Sequence, residues 1–76
     1  MRKISSLTTQ ENFQLLVQFD NGIKKIFDLK PYLNYPVFEV LKNQIEFQKV
    51  TNQGYFIEWK DHEVDLSADT LWHDGK

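Results

Sequence analysis

Apolar and polar residues alternate along the first third of the chain, which is the pattern of a β-strand with one buried face. Segments 3–9 (KISSLTT) and 13–19 (FQLLVQF) carry this pattern, and a third apolar segment, 23–28 (IKKIFD), follows the residues DNG at 20–22. Asn and Gly accept the positive φ angles of tight hairpin turns. The pattern therefore predicts three consecutive antiparallel strands.

The register of the hairpin around DNG has two alternatives. A two-residue loop places Leu15 opposite Asp28, whereas a three-residue loop places Leu15 opposite Phe27 and Phe19 opposite Ile23. We expect the three-residue loop, because it joins apolar side chains across the pair. A slip of one residue would turn the apolar side chains of one strand to the wrong face of the sheet.

The middle third of the chain changes to a helical pattern. Asp28 can cap a short turn at 29–33 (LKPYL), and Pro31 lies in its first turn, where a missing N–H has no cost. Pro36 favours a second helical start at 36–43 (PVFEVLKN). The residues expected to form the buried stripe of this segment, extended by one turn, are Val37, Phe38, Val40, Leu41 and Ile45.

The last third returns to strands. Segment 47–51 is strand-like, NQG at 52–54 predicts a turn, and 55–59 (YFIEW) and 63–67 (EVDLS) predict two more strands before a final helical turn. On the first of these two strands we expect one buried side, formed by Tyr55, Ile57 and Trp59.

These elements predict an α+β fold, with an antiparallel sheet of about five to six short strands and two or three short helical segments between and after them. The chain has no internal repeat or linker, so residues 1–76 are expected to form a single domain. A core this small rarely supplies more than about 3–5 kcal/mol of stability. There is no cysteine to add a disulfide, but six Phe, three Tyr and two Trp supply large apolar surfaces.

The composition also bears on the cellular location of the chain. No stretch approaches the roughly 18 apolar residues of a membrane span, and the N-terminal residues lack the apolar segment of a secretory signal. The absence of cysteine fits a reducing compartment. We therefore expect a cytoplasmic protein that does not associate with a membrane.

The hairpin formed by 55–59 and 63–67 is rich in carboxylates, and we call it the acidic hairpin. A two-residue and a four-residue loop give the same register, whose cross-strand pairs are Trp59–Val64, Ile57–Leu66 and Glu58–Asp65. The carboxylates of Glu58 and Asp65 would then lie side by side, where like charges are unfavourable unless they are neutralised. The neutralising group could be a cation of a partner or a metal, Lys25 or Lys49 from a neighbouring strand, or simply water.

The remaining polar residues fit structural roles better than roles in metal binding or catalysis. Ser67 can cap the last helix, and Asp69 in its first turn complements the helix dipole. His62 lies in a predicted turn and His73 near the C-terminus, without the spacing of a metal site or a supported nucleophile. The sequence thus predicts no catalytic residue, no metal and no cofactor, and a protein that is not an enzyme.

Several motifs in order resemble the small bacterial domain-of-unknown-function family 2442 over nearly the whole chain. They are FDNG, FDLKPYL, PVFEVLKN, IEW and VDLSADTLW. The chain departs from the family at Ala68, where Pro is common, and in the longer turn WKDHEVD. The resemblance implies an α+β domain without an established activity or catalytic residue, and a role in toxin–antitoxin-type pairing. Members of the family occur alone or joined to a helix-turn-helix region. Such a region is not present within these 76 residues, so direct DNA binding is not expected.

Charge is unevenly distributed along the chain. Residues 1–54 hold seven Lys or Arg against five Asp or Glu, whereas residues 55–76 hold two against six. We expect a protein-interaction module, the acidic, antitoxin-like or regulatory half of a bacterial gene pair. Its expected contact surface contains Glu58, Trp59, Asp61, Asp65, Asp69 and Trp72. For the two tryptophans the alternative is burial in the core.

Three other interpretations stay open. A nucleic-acid-associated domain would use Arg2, Lys3, Lys24, Lys25 and Lys30. A small-ligand or hydrolytic domain would need a buried pocket lined by His62 and at least two carboxylates. A homodimer could form through the N-terminal strand, because exposed strand edges pair readily.

Overall fold

The computed structural model describes residues 2–76 as an α+β fold with six short strands in two three-stranded antiparallel sheets. The first sheet has the order β1-β2-β3, and its strands are β1 Ile4–Gln10, β2 Gln14–Phe19 and β3 Lys24–Asp28. The second has the order β4-β5-β6, and its strands are β4 Thr51–Asn52, β5 Phe56–Trp59 and β6 Val64–Ser67. The predicted fold class is confirmed.

Short helical segments connect the strands. The two α-helices are α1 Gln44–Phe47 and α2 Ala68–Asp74. Tighter 3₁₀ turns cover Glu11–Phe13, Lys30–Asn34, Pro36–Lys42 and Lys60–His62. Within residues 2–76, no helix is long and apolar enough to cross a membrane.

The three-residue loop of the first hairpin is confirmed. Leu15 lies opposite Phe27, and the Phe19 N–H donates to the Ile23 carbonyl at 2.9 Å. Gly22 has a φ of 86°, and the Asn21 side chain accepts from the Ile23 N–H at 3.0 Å. The turn therefore uses Gly for positive φ and Asn for a local side-chain hydrogen bond.

One cluster of buried side chains joins the two sheets. The alternate residues of β2 face inward, as do Ile57 and Trp59 of β5. Aromatic rings connect the layers: Phe47 contacts Phe13 edge-on at 5.4 Å between centroids and stacks on Trp59 at 6.3 Å. The large side chains less than 2% exposed are Ile4, Leu15, Val17, Phe19, Phe27, Leu29, Leu41, Phe47, Ile57, Trp59 and Leu71.

The helical stripe predicted for the middle segment is only partly right. Phe38 and Leu41 are buried, but Val37 and Val40 are 57% and 38% exposed, and Ile45 is 68% exposed. The reason is the 3₁₀ geometry of Pro36–Lys42, in which residues three apart share a face. Phe38 and Leu41 lie on the inner face, whereas Val37 and Val40 lie on the outer one.

The prediction of a strand over 47–51 is wrong for residues 47–50. Asn43 caps a new helix, because its Oδ1 accepts from the Ile45 N–H at 2.9 Å, and this helix ends at the buried Phe47. Only Thr51–Asn52 forms a strand. The prediction that Tyr55 lies on the buried side of the next strand is also wrong, because Tyr55 precedes that strand and is 52% exposed.

The two sheets meet at the N-terminal end of β1. The Ile4 N–H donates to the Gly54 carbonyl at 2.7 Å, and the Asn52 side chain donates to the Ile4 carbonyl at 3.0 Å. On the far side of the first sheet, the Lys76 N–H donates to the Ile26 carbonyl of β3 at 2.8 Å. The C-terminal residues thus cover part of the β3 edge.

Candidate partner-docking surface

The acidic hairpin has the register predicted from the sequence. In β5 and β6, Trp59 lies opposite Val64 and Glu58 lies opposite Asp65. A turn over Lys60–His62 connects the strands, and Glu63 completes it with a left-handed φ of 54°. Because apolar pairs occupy the inner face, the two carboxylates share the outer face.

The Glu58–Asp65 pair has no cation beside it. Among residues 2–76 no ion pair within 4 Å includes either carboxylate. The two lysines considered as neutralising partners make other contacts: Lys25 Nζ donates to the Trp72 carbonyl at 2.6 Å, and Lys49 Nζ lies 2.8 Å from a Glu46 oxygen. On β4, the neighbour of Glu58 is Thr51, which carries no charge.

An aromatic side chain outside the predicted contact surface lies on the same outer face. Phe56 is 38% exposed and is two residues from Glu58 on β5, so both side chains point the same way. Tyr55, the residue before the strand, is also exposed. The alternation that places Ile57 and Trp59 inside already implies an outward Phe56. We call Phe56, Glu58 and Asp65 the acidic face.

Trp59 does not belong to a contact surface. It is 1% exposed, and its Nε1 donates to the Phe47 carbonyl at 2.8 Å. Its inclusion among the partner-binding residues is therefore wrong, and the alternative of a core position is correct. The cause is the pleat of β5, which turns Trp59 and Glu58 to opposite faces.

Trp72 lies on α2 and is half-buried. Its ring contacts Phe19 edge-on at 5.1 Å, and two cations lie over it: the Arg2 guanidinium at 4.5 Å and Lys25 Nζ at 4.1 Å. Arg2 also pairs with Asp69 at 3.3 Å. Trp72 and Asp69 are thus held by contacts within the chain.

Asp61 lies in the turn between β5 and β6 and is part of a second charged cluster. Its Oδ2 is 3.9 Å from Lys49 Nζ. Glu46 connects this lysine to His62, because one Glu46 oxygen is 2.8 Å from Lys49 and the other is 2.9 Å from His62 Nε2. No sequence pattern signals the contact between Glu46 and His62, since it depends on where α1 packs.

The His62 cluster does not form the buried pocket that a hydrolytic site would need. A shallow cavity of about 260 Å³ lies beside it, and the only carboxylate on its lining is Asp61. The hydroxyl on that lining belongs to Thr51, an exposed strand residue. Within the described part of the chain no three His, Cys, Asp or Glu side chains group as a metal site would require.

The charged cluster around Glu46 predicts a defined pH dependence of stability. Hydrogen bonds from Lys49 and then His62 hold the pKa of Glu46 below its ordinary value of 4.5, and Glu46 raises the pKa of Lys49 above 10.5. A lowered carboxyl pKa stabilises the fold above pH 4.5 and ceases to do so as the pH falls through the folded value. A raised lysine pKa stabilises it below pH 10.5 and ceases to do so above the folded value.

We therefore expect Glu46→Gln to reduce the free energy of unfolding at neutral pH, with the difference from the parent chain vanishing in strong acid. Urea denaturation at several pH values measures this, with Glu39→Gln on an exposed 3₁₀ turn as the control. A difference that persists unchanged at pH 2 would contradict the assignment.

Tyr32 makes a second titratable contact. Its hydroxyl donates to Asp74 Oδ2 at 2.7 Å, and this hydrogen bond, followed by desolvation and the carboxylate charge, raises the pKa of Tyr32 to about 12. A raised tyrosine pKa stabilises the fold below pH 10 and ceases to do so as the pH rises toward 12. We expect Asp74→Asn to return the tyrosine pKa toward 10.0. The tyrosinate absorbance of each chain, minus that of its Tyr32→Phe derivative, measures the shift.

The cations considered for nucleic-acid binding do not form an open patch. Arg2 and Lys25 lie over Trp72, and Lys30 pairs with Asp28 at 3.5 Å. Lys30 also donates to the Asn12 carbonyl at 3.2 Å. Three of the five are thus engaged within the chain, which weakens the nucleic-acid hypothesis.

The fold defines a small α+β domain built from two antiparallel sheets. The sequence matches the family described as Protein of unknown function (DUF2442) over residues 4–76, and the chain belongs to that family. The resemblance seen in its motifs is confirmed. No curated protein and no solved structure matches the chain.

Proposed function

We propose that this chain is a non-enzymatic protein-interaction module whose acidic face binds a basic surface of another protein. In this proposal the chain is the antitoxin-like or regulatory half of a bacterial gene pair and acts in the cytoplasm. The observation that carries the proposal is the uncompensated Glu58–Asp65 pair on an exposed sheet face.

The repulsion between Glu58 and Asp65 acts in the isolated chain and would be relieved in a complex with a basic partner. Like charges directly opposite each other in a sheet are destabilising. An Arg or Lys placed between Glu58 and Asp65 would remove that repulsion and add charge-assisted hydrogen bonds. An arginine could also stack on Phe56, since its planar guanidinium packs against aromatic faces.

The surrounding charge supports the same partner. Residues 55–76 carry two cations against six carboxylates, and Asp61 and Asp69 have side chains 69% and 57% exposed. Asp61 also lies 3.9 Å from Lys49, and Asp69 lies 3.3 Å from Arg2. The steering of a basic partner would therefore come from the net negative charge of residues 55–76 as a whole. The proposed contact surface therefore retains Glu58, Asp61, Asp65 and Asp69, gains Phe56, and places Trp72 at the margin.

The test uses the product of the adjacent gene as the partner. We expect Glu58→Gln to weaken binding in titration calorimetry by about tenfold and, at the same time, to raise the free energy of unfolding of the isolated chain. These opposite signs follow from the proposal, because the same charge repels Asp65 and attracts the partner.

Glu39→Gln is the matched control, since it removes one exposed carboxylate that lies on the Pro36–Lys42 turn and not on β5 or β6. It should change neither quantity by a comparable amount. Binding that is equally strong with Glu58→Gln, or insensitive to salt, would refute the proposed docking surface.

A further inference from the structure

The outer edge of β1 is open over part of its length. The Phe19 N–H bonds the Ile23 carbonyl, so the backbone groups of Phe19 face β3. Backbone direction alternates along a strand, so those of Gln18 and Leu16 face β1, where they pair with Ser6 and Thr8. The N–H and C=O groups of Leu7 and Thr9 consequently point away from β2. No backbone hydrogen bond from another strand reaches them within residues 2–76.

The N-terminal end of the β1 edge is covered by other residues, whereas its C-terminal end is open. At its N-terminal end, Ile4 is already bonded to Gly54 and Asn52 of the second sheet. Toward its C-terminal end, a cleft of about 850 Å³ separates the β1–β2 turn from α1. Its lining includes five carboxamide side chains, which belong to Gln10, Asn12, Gln14, Gln44 and Gln48.

We propose that this edge and cleft bind a single extended peptide segment of a partner protein, which adds to the first sheet as a fourth strand beside β1. The N–H and C=O groups of Leu7 and Thr9 would pair with its backbone. The carboxamides would receive the backbone groups that continue into the cleft. A carboxamide has the same donor and acceptor as a peptide group, so the lining matches a polypeptide backbone.

The lining also discriminates against other ligands. It contains no lysine or arginine that would bind a phosphate and no aromatic ring on which a base or sugar would stack. Its one charged side chain is Glu11. The segment that fits is therefore extended and uncharged in the strand, with a Lys or Arg near the end that reaches Glu11.

A second copy of this chain fits the β1 edge and the cleft less well than a single extended segment does. The β1 strand of another copy carries β2 along one edge, so it has one free edge. Besides residues from the end of β1 and the turn after it, the cleft is lined by Gln44 of α1 and by Gln48, the residue that follows this helix. A lone strand can pair with β1 on one side and meet these carboxamides on the other. This surface lies on the other sheet from the acidic face, so the two proposals are independent.

The test uses blocked six-residue peptides of alternating Val and Thr with one terminal Lys. Two derivatives are N-methylated, one at the odd and one at the even residues. Only alternate backbone amides of an added strand face β1. One derivative should therefore bind about as well as the parent peptide, and the other about tenfold more weakly or worse. Binding should also slow hydrogen exchange at Leu7 and Thr9.

Protein variants locate the site. Thr9→Pro removes an N–H that points away from β2, so it should preserve the β1–β2 ladder and abolish peptide binding. Gln44→Ala combined with Gln48→Ala should weaken binding without touching β1, which keeps the test valid if the proline variant fails to fold. Asp65→Asn, on the acidic face, should leave peptide binding unchanged.

Three results would overturn the proposal. The first is that no peptide binds. The second is that both N-methylated derivatives bind equally. The third is that ultracentrifugation shows a dimer that Thr9→Pro dissociates, since the edge would then belong to a second copy of the chain.

Discussion

Trp59→Ala is expected to leave most of the chain unfolded at room temperature. The Trp59 ring is 1% exposed, stacks on Phe47 and donates its Nε1 hydrogen bond to the Phe47 carbonyl at 2.8 Å. Removing a buried tryptophan typically costs about 3–5 kcal/mol. A core of this size supplies a total stability of about the same amount. Loss of the cooperative urea transition, followed by circular dichroism, measures the effect.

Trp59→Phe separates the packing from the hydrogen bond. A phenylalanine keeps a ring against Phe47 but leaves its carbonyl without the Nε1 donor, so we expect a smaller loss of about 1–3 kcal/mol. Trp72→Phe is the matched control, because Trp72 is half-buried and donates no hydrogen bond through its ring within residues 2–76. A cooperative transition of unchanged midpoint in Trp59→Ala would show that the ring does not hold the two sheets together.

The burial of Trp59 separates what stabilises the hairpin from what is available for binding. Trp59 and Glu58 are neighbours in sequence, but the pleat turns Trp59 into the core and Glu58 to the outer face, where it is half-buried. The acidic face can therefore be changed without disturbing the aromatic contacts inside. This separation makes the opposite effects expected for Glu58→Gln measurable in a chain of such small size.

The strands and their registers are predictable from the sequence because their rules are local. A period of two identifies a half-buried strand, and a single correct register pairs apolar side chains across a hairpin. Both hairpin registers, Leu15 with Phe27 and Glu58 with Asp65, follow from these rules and are confirmed. The alternation along β5 and β6 is also sufficient to place the carboxylate pair on the outer face.

The residues around the acidic hairpin are harder to predict because their contacts are distant in sequence. Glu46 reaches His62 across 16 positions, and this contact requires the placement of α1, which the strand-like pattern of 47–51 conceals. The sequence leaves Trp72 between a surface and a core position. The structure places it half-buried, with Arg2 from the opposite end of the chain over its ring. No periodicity in a single segment encodes contacts of this kind. Phe56, in contrast, follows from the alternation alone.

The middle segment shows why apolar spacing alone does not define the core there. Apolar residues at 37, 38, 40 and 41 fit the 3.6-residue period of an α-helix and the 3.0-residue period of a 3₁₀-helix equally well over so short a length. The extrapolation to Ile45 requires that the helix continues, or restarts after Asn43, with the same face inward. The helix does restart, because the Asn43 side chain caps a new one, but the inward position passes to Phe47.

The 3₁₀ turn followed by a newly capped helix predicts the second large effect on stability, which is a contrast between two aliphatic residues four positions apart. Leu41 is fully buried, whereas Ile45 is 68% exposed. We expect Leu41→Ala to lower the free energy of unfolding by about 2–5 kcal/mol, because it leaves a cavity in the core. Ile45→Ala should change it by no more than about 0.5 kcal/mol, as exposed substitutions usually do.

Both variants remove aliphatic carbons from a helical segment, so each is the control for the other in urea denaturation. A continuous amphipathic α-helix over 36–45 would make the two losses similar, because both side chains would then lie on its buried stripe. Comparable destabilisation by Leu41→Ala and Ile45→Ala would therefore exclude the 3₁₀ turn followed by a recapped helix. A large loss confined to Leu41→Ala would show that Leu41 lies in the core and Ile45 does not.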